Sequence, residues 1–224
     1  MAKNIIIAID GESGSGKSTL ATGIAQILGF KHIDTGAMYR AITWKVIRNN
    51  LPIESKEAIQ NLLKEIEIHF EDKQGEQKIF INEDDVTKVI RSQEVTSQVS
   101  LLAKIPIVRT KMQELQRKEG GKTNSALEGR DIGTVVFPDA DIKFFLKANV
   151  HTRAKRRYKE IKELNVSLED VEKNIITRDK IDTTRETSPL KKAADAIEID
   201  TSNYSIEATL EVALKYIREK LDIG

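Results

Sequence analysis

Gly11-Glu12-Ser13-Gly14-Ser15-Gly16-Lys17-Ser18 is the stretch whose residue types and spacing carry the plainest chemistry. Its glycines let successive backbone N–H groups turn inward around phosphate oxygens, and a helix opening at Lys17 adds its partial positive charge at the same point. Lys17 would neutralise the β- and γ-oxygens of a nucleoside triphosphate, and the Ser18 hydroxyl would ligate Mg²⁺. On average composition the pattern G-x-x-x-x-G-K-[ST] arises by chance in roughly one chain in a hundred of this length, so its setting has to decide. A Gly/Ser turn that merely caps a helix is the plain alternative. Here the loop follows an apolar run and opens an amphipathic segment, which is the context that phosphate binding needs. Gly11–Thr19 therefore reads as a triphosphate loop, with nucleotide as its ligand.

A phosphate loop alone does not say where the phosphate goes. Thr35 and Arg40 stand in "DTGAMYR", directly after a second apolar run. Arg130 and Asp131 stand in "EGRDIGT", directly after another. Ligands of open α/β sheets sit at such strand ends. Arg153, Arg156 and Arg157 fall within one helical stretch, with Arg178 and Arg185 downstream. Lys155 and Lys159 read as a solvated face, whereas arginine is the better planar fork for phosphate. Cations of this kind spread the charge of a transferring phosphoryl group, and a part that closes keeps water out.

The elements that would hold these residues alternate. Asn4–Ile9 reads as a strand buried on both faces, ended by Asp10-Gly11. Lys17–Leu28 has apolar residues at helical spacing and stops at Gly29. Lys31–Asp34 is a second strand and Ala37–Asn50 a second helix, so a doubly wound parallel sheet with right-handed crossovers is expected. After a helix near Lys56–Lys64, "IEIHFED" and "KIFINEDDVT" alternate around "KQGEQ", which is a β-hairpin pattern that interrupts the α/β rhythm. Helices are expected over Arg91–Lys104, from Pro106 to about Lys118, over Val150–Leu164, over Leu168–Asp182 with Ser167 as N-cap, and over Ser205–Leu221. Strands are expected near 125–128, 142–147 and Ala196–Asp200. The resulting division has a core of 1–34, 101–150 and 166–224, an insertion of 35–100, and a short lid of 151–165.

The bulk numbers exclude several classes. The chain has 224 residues, of which 39% are hydrophobic and 32% charged, with no run long enough to cross a bilayer. It opens with no basic-then-apolar leader, so a cytoplasmic protein is expected. Cysteine is absent, which removes disulfides and thiolate chemistry. Basic and acidic residues balance at 36 and 35, short of the excess of a nucleic-acid binder, and neither nucleic acid nor membrane is expected as a partner. The histidines, at 32, 69 and 151, lie far apart and form no zinc pattern. Trp44, Phe30 and Phe70 read as packing residues, since no aromatic series alternates with basic residues. The hairpin reads as scaffold of the insertion.

At this point the chain resembles the bacterial cytidylate kinases, of the long type with an enlarged nucleoside-monophosphate-binding insertion. The likeness covers essentially the whole chain through "IAIDGESGSGKST", "DTGAMYRAIT", "VTSQVS…IPIVR", "EGRDIGTVVFPDADIKFFL", "RAKRR", "RDKIDTTRETSPL" and "AADAIEIDTS". It departs from the family at Glu12, where proline is usual, and at Glu128, often aspartate. The resemblance implies a P-loop kinase that moves the γ-phosphate of ATP, with Mg²⁺, onto CMP or dCMP; a monomer is expected. It implies ATP binding by Gly11, Glu12, Ser13, Gly14, Ser15, Gly16, Lys17, Ser18 and Thr19, with Ser18 on the metal. Arg40, Arg130 and Arg185 would clamp the monophosphate, and Asp182 and Asp131 would hold the ribose and the cytosine side. Ser100, Arg109 and Asp131 would read the base edge, with Thr35, Tyr39 and Gly129 lining the same substrate. Lys17, Arg130, Arg153, Arg157 and Arg178 would be the catalytic cations, Arg153, Arg157 and Arg178 closing with the lid.

The chemistry supports these roles independently. Cytosine sets an N4 donor beside an N3 acceptor, which suits Asp131 and Arg109; uracil reverses the pattern and would leave buried groups unpaired. No general base is needed, because a monophosphate oxygen is already a nucleophile. Asp34, Asp131 and Glu128 are the nearest acids to a metal, and Asp34 reads equally well as a helix cap. The rivals are a kinase of the same fold acting on UMP, AMP or shikimate, an ATP-hydrolysing or sensing module, and an RNA-binding protein.

Overall fold

A computed structural model describes residues 3–73, 76–160 and 166–222. Residues 74 and 75 of the expected hairpin loop, and 161–165 of the expected lid, lie outside the described residues. The chain divides into two compact units, Met1–His32 with Gly120–Gly224, and Ile33–Glu119.

The first unit is built on a five-stranded sheet, in the order β2 (Lys31–Asp34), β6 (Ser125–Gly129), β1 (Ile6–Gly11), β7 (Ile142–Lys147), β8 (Ile197–Asp200). β1 runs parallel to both β6 and β7, and β7 runs parallel to β8. From β1 the chain crosses to β2 on one side, and after β6 it passes to β7 and β8 on the other, so the strand order reverses beside β1, and the crevice at that carboxyl end is where such sheets bind ligands. β1 and β6 are buried at every position; Ile6–Ile9 is the apolar part of β1, whereas β6 buries Ser125 and Glu128 beside Ala126 and Leu127. Ile7, Ile9 and Phe144 meet Leu20 and Ile24 of α1 (Lys17–Leu28) and Ala213 and Ile217 of α8 (Ile206–Leu221) in one core. Each such side chain, taken fully from water, contributes about 2 kcal/mol.

α6 (Val150–Glu160) packs on α7 (Leu168–Thr184), with a small core of Ala154, Val171 and Ile175. Ser167 caps α7 in a reciprocal capping box with Asp170, and Ser205 caps α8 through the Ala208 N–H, both at the positions their sequence signals require. The segment after β6 is not a plain turn. Ile132–Val136 coils into a single wide π-type turn, a form frequent at functional sites.

The second unit holds α2 (Thr35–Arg48), α3 (Lys56–Glu65), α4 (Gln93–Leu102) and α5 (Pro106–Gly120, all but its last residue). It also holds a three-stranded sheet of β3 (Ile68–Lys73), β4 (Glu76–Ile81) and the two-residue β5 (Asp84–Asp85). The hairpin pairs antiparallel from Ile68↔Ile81 to Lys73↔Glu76, as the alternation predicts. Its buried residues are Ile68, Phe70, Ile79 and Ile81, and α2 packs on β4 and α4. The unit runs to Glu119 rather than to residue 100. Within it the Arg109 guanidinium of α5 lies over the Tyr39 ring of α2 at 5.4 Å and donates to Ala103 O at 3.2 Å.

Candidate active site

The phosphate loop takes its shape from close backbone approach. Gly11 has φ 148°, and a Cβ there would fall 2.0 Å from Leu146 O of β7, so no side chain fits. Gly14, at φ 77°, turns the loop past Arg153, whose Cβ would be 3.2 Å from a Cβ at Gly14. Thr201, after β8, donates to Ser15 O at 2.9 Å and is itself held by Arg156, which donates to Thr201 Oγ1 at 2.9 Å. Lys17 is 6% exposed and its Nζ donates to Glu12 O at 2.5 Å. Burial, with Arg130 as a nearby like charge, brings the Lys17 ammonium down to about 7. A group in this state gains from an incoming polyanion, which restores the charge that burial disfavours.

Ser18, at the start of α1, donates its hydroxyl to Glu128 Oε2 at 2.7 Å, and His32 Nε2 lies 3.0 Å from Glu128 Oε1. Glu128 is 4% exposed at the end of β6. A hydroxyl and a carboxylate side by side are the hard oxygen donors that Mg²⁺ prefers, so the residues present fit that ion. Glu128 reaches Ser18 with the longer of the two acidic side chains.

Asp10 closes β1 under this edge. Its two oxygens accept the Ile132 and Gly133 N–H groups at 2.8 and 2.7 Å, fixing the π-type turn after Arg130 and Asp131. Burial pushes its carboxyl up to about 6, against the pull of those two bonds.

Four expected acceptor residues of the first unit form one ion cluster, in which Asp131, Asp182 and Arg185 are buried and Arg130 is half-buried. Arg130 Nε donates to Asp182 Oδ2 at 2.8 Å, Arg185 Nη1 to Asp182 Oδ1 at 3.2 Å, and Arg185 Nη2 lies 3.6 Å from Asp131 Oδ1. Burial works against the Asp182 charge, but Arg130, Arg185 and Arg178 outweigh it and hold the carboxyl below the usual range. Gly129 is buried at the strand end beside them. β1 and β6 are neighbouring parallel strands, so this cluster and the phosphate loop rise from the same sheet edge.

The arginines of α6 lie in different settings. Arg153 is 5% exposed and bonded on several sides, while Arg157 is half-exposed and pairs with Glu160 at 2.9 Å. In the second unit, Asp34 caps α2 by accepting the Ala37 N–H at 2.8 Å and also takes Arg40 Nη2 at 2.8 Å, so the capping reading of Asp34 describes it. Thr35, Tyr39 and Arg109 are buried and Ser100 is half-buried.

Asp10, His32, Asp179 and Thr201 were not singled out from the sequence. Asp10 offered the clearest signal, an acid at the end of an otherwise apolar buried strand. The others act through contacts to residues distant in the chain, which no local pattern records.

A sequence profile for the family described as cytidylate kinase matches residues 7–219. The chain is 48% identical over 224 residues to a cytidylate kinase of Listeria innocua, covering 99% of each. It is 45% identical over 223 residues to one of a Geobacillus species, covering 99% of this chain and all of that one. Among solved structures it resembles TT1252 from Thermus thermophilus, with a TM-score of 0.51 over the full length of both chains and 18% identity, a likeness of fold. With the profile spanning nearly the whole sequence, and with relatives this similar from end to end, the chain belongs to the cytidylate kinase family.

Proposed function

We propose that the protein transfers the γ-phosphate of ATP to CMP or dCMP, giving ADP and the nucleoside diphosphate, as a nucleoside monophosphate kinase of the cytoplasmic nucleotide pool. The observation that carries the reading is the sheet edge of the first unit. There a triphosphate loop stands beside a mostly buried Arg130–Asp182–Arg185–Asp131 cluster, two guanidiniums and two carboxylates in the place of an acceptor. A hydrolase or sensor has no use for a second set of arginines.

Lys17 and the backbone of Gly11–Thr19 hold the triphosphate. Arg40, Arg130 and Arg185 clamp the monophosphate. Asp182 orients both arginines of its unit and binds the ribose, Thr35, Tyr39 and Gly129 line the substrate, and Asp131, Arg109 and Ser100 read the cytosine edge. Ser18 and Glu128 would hold Mg²⁺, which neutralises charge on the phosphate oxygens when bound. The monophosphate oxygen attacks directly, so catalysis is alignment and spreading of charge by Lys17, Arg130, Arg178 and Arg157. The part of the lid that carries Arg157 would close to exclude water, and the protein would act as a monomer.

The test is ADP production with MgATP against CMP, dCMP, UMP, AMP, GMP and shikimate, run also on Asp131→Ala. Activity confined to CMP and dCMP, and lost in the variant, is expected. Equal use of UMP would refute the base reading, and ADP release independent of any acceptor would refute the kinase.

A further inference from the structure

The arginine that opens "RAKRR" is enclosed by the phosphate loop and two helices. Arg153 Nε donates to Ala148 O at 2.9 Å and lies 3.3 Å from Glu12 Oε2. Its Nη1 donates to Ser13 O at 3.0 Å and to Asp179 Oδ2 of α7. Asp179 closes the ring, because its other oxygen accepts the Ser13 N–H at 3.1 Å. Glu12 Oε2 also accepts the Ala148 N–H at 3.3 Å. The backbone N–H and C=O of Ser13 are thus each taken by one member of an Arg–Asp pair, and Glu12 ties that pair to the end of β7. Gly14 also faces Arg153, where an added Cβ would fall 3.2 Å from the Arg153 Cβ and 3.2 Å from its carbonyl oxygen, so a larger residue would crowd the loop against α6.

We infer that Arg153 is a positioning residue of the phosphate loop, with Glu12 and Asp179 as its fixed counter-charges, and not a cation that travels to the transferring phosphoryl group. The inference deepens the kinase reading and rests on it. Three features separate Arg153 from a mobile phosphate ligand. Its guanidinium already contacts two carboxylates and two carbonyls, so moving it to a phosphate would strand buried acids. Its side chain is 6% exposed, against 46% for Arg157 one helical turn on. And the contacts it makes are to the backbone of the loop itself, whose shape decides how the amide groups meet phosphate.

Glu12 then acquires a definite role. An unpaired acid in a phosphate loop repels the ligand, but an acid neutralised by Arg153 serves the loop's geometry. The effect of removing Glu12 therefore changes sign with its partner. In the otherwise unaltered protein, Glu12→Gln loosens Arg153 and weakens ATP binding. Where Arg153 has been replaced, the Glu12 charge is uncompensated, and the same substitution strengthens ATP binding.

The experiment is a double-mutant cycle of Glu12→Gln and Arg153→Met. Its readouts are equilibrium titration with MgATP alone, and steady-state kinetics with CMP. Arg153→Met should raise the ATP KM about tenfold with kcat within about threefold, since a shape-dependent contact acts on ground state and transition state alike. Glu12→Gln should raise the ATP dissociation constant about threefold alone and lower it about threefold in the Arg153→Met background, the scale of a partly exposed charge pair. The KM for CMP should stay within about twofold throughout, because uniform binding of one substrate is what is lost. An Arg153→Met enzyme with kcat reduced and ATP KM unchanged would overturn the inference, as would a Glu12→Gln effect of the same sign in both backgrounds. If Arg153→Met does not fold, Glu12→Gln alone decides, tighter ATP binding being the contrary result. An unaltered protein that binds ATP but phosphorylates no CMP would instead refute the kinase reading, leaving the ATP titration to judge the loop.

Discussion

Arg153 and Arg157 lie one helical turn apart on α6, in one five-residue motif, and the molecule treats them as opposites. Arg153 is buried among the phosphate loop, Ala148 and α7; Arg157 is half-exposed and, among the described residues, pairs with Glu160. The first has exchanged water for a fixed set of carboxylates and carbonyls. The second has paid little for its place and can leave it. A surface pair of this kind is worth well under about 1 kcal/mol, whereas breaking a buried pair costs about 3–5 kcal/mol. The difference teaches that a basic run holds two kinds of arginine, and that burial and partner number, more than residue type, separate scaffold from moving charge.

The same contrast sets the scale of substitutions across the site. The largest effect should come from Arg130, which like Arg153 is bonded to a carboxylate but is 17% exposed, and which on the proposed reading meets the transferring group. Arg130→Met should lower kcat/KM for CMP roughly a thousandfold, the scale of an arginine that meets developing charge. A loss that appeared only as ATP KM would instead place Arg130 with Arg153. Next is Asp182, which faces both Arg130 and Arg185. Asp182→Asn leaves two guanidiniums buried on a neutral amide and should cost about 3 kcal/mol in urea unfolding. A change below about 0.5 kcal/mol, the range of ordinary surface substitutions, would mean the cluster is solvated in the manner of Arg157.

Asp10 offers a test through pH. Its folded value, near 6, stands above its ordinary 3.8, so the folded protein binds a proton that the unfolded chain has released. Its contribution to stability is therefore greatest below pH 4 and is lost as pH rises towards 6. The unaltered protein should lose on the order of 2–3 kcal/mol relative to Asp10→Asn across that window. Parallel stability profiles of the two proteins would show that Asp10 titrates as an ordinary carboxylate. The smallest stability effect belongs to Arg157→Ala, which should leave the thermal midpoint within about 1 °C, as a substitution away from the core does.

Much of this was legible before any coordinates, and unevenly so. The phosphate loop, its strand and its helix are contiguous, so glycine spacing and apolar runs record them directly. The hairpin alternates residue by residue, and Ser167 and Ser205 cap the helices they precede. What was hidden depends on contacts across the chain. Arg153 meets Asp179 26 residues on and Ser13 140 residues back, and the sequence shows only that it is an arginine beside other arginines. Asp10 fixes a turn 122 and 123 residues away. The contact of Arg109 with Tyr39 spans the second unit in the same way, and no local pattern records it. Local signals carried the fold; the division of labour within the site rests on ion pairs distant in sequence.

The account turns most directly on one comparison of rates. Initial velocities with varied MgATP and varied CMP would be measured for Arg157→Ala and Arg153→Lys beside the unaltered protein. Arg157→Ala should lose kcat at least tenfold or so with ATP KM nearly intact, the mark of a contact made only in the transition state. Arg153→Lys should keep most of its kcat and raise the ATP KM, because a lysine retains the charge but not the fork that binds Asp179 and Ser13 together. Equal losses of kcat in the two variants would contradict the account and return both arginines to a single moving lid.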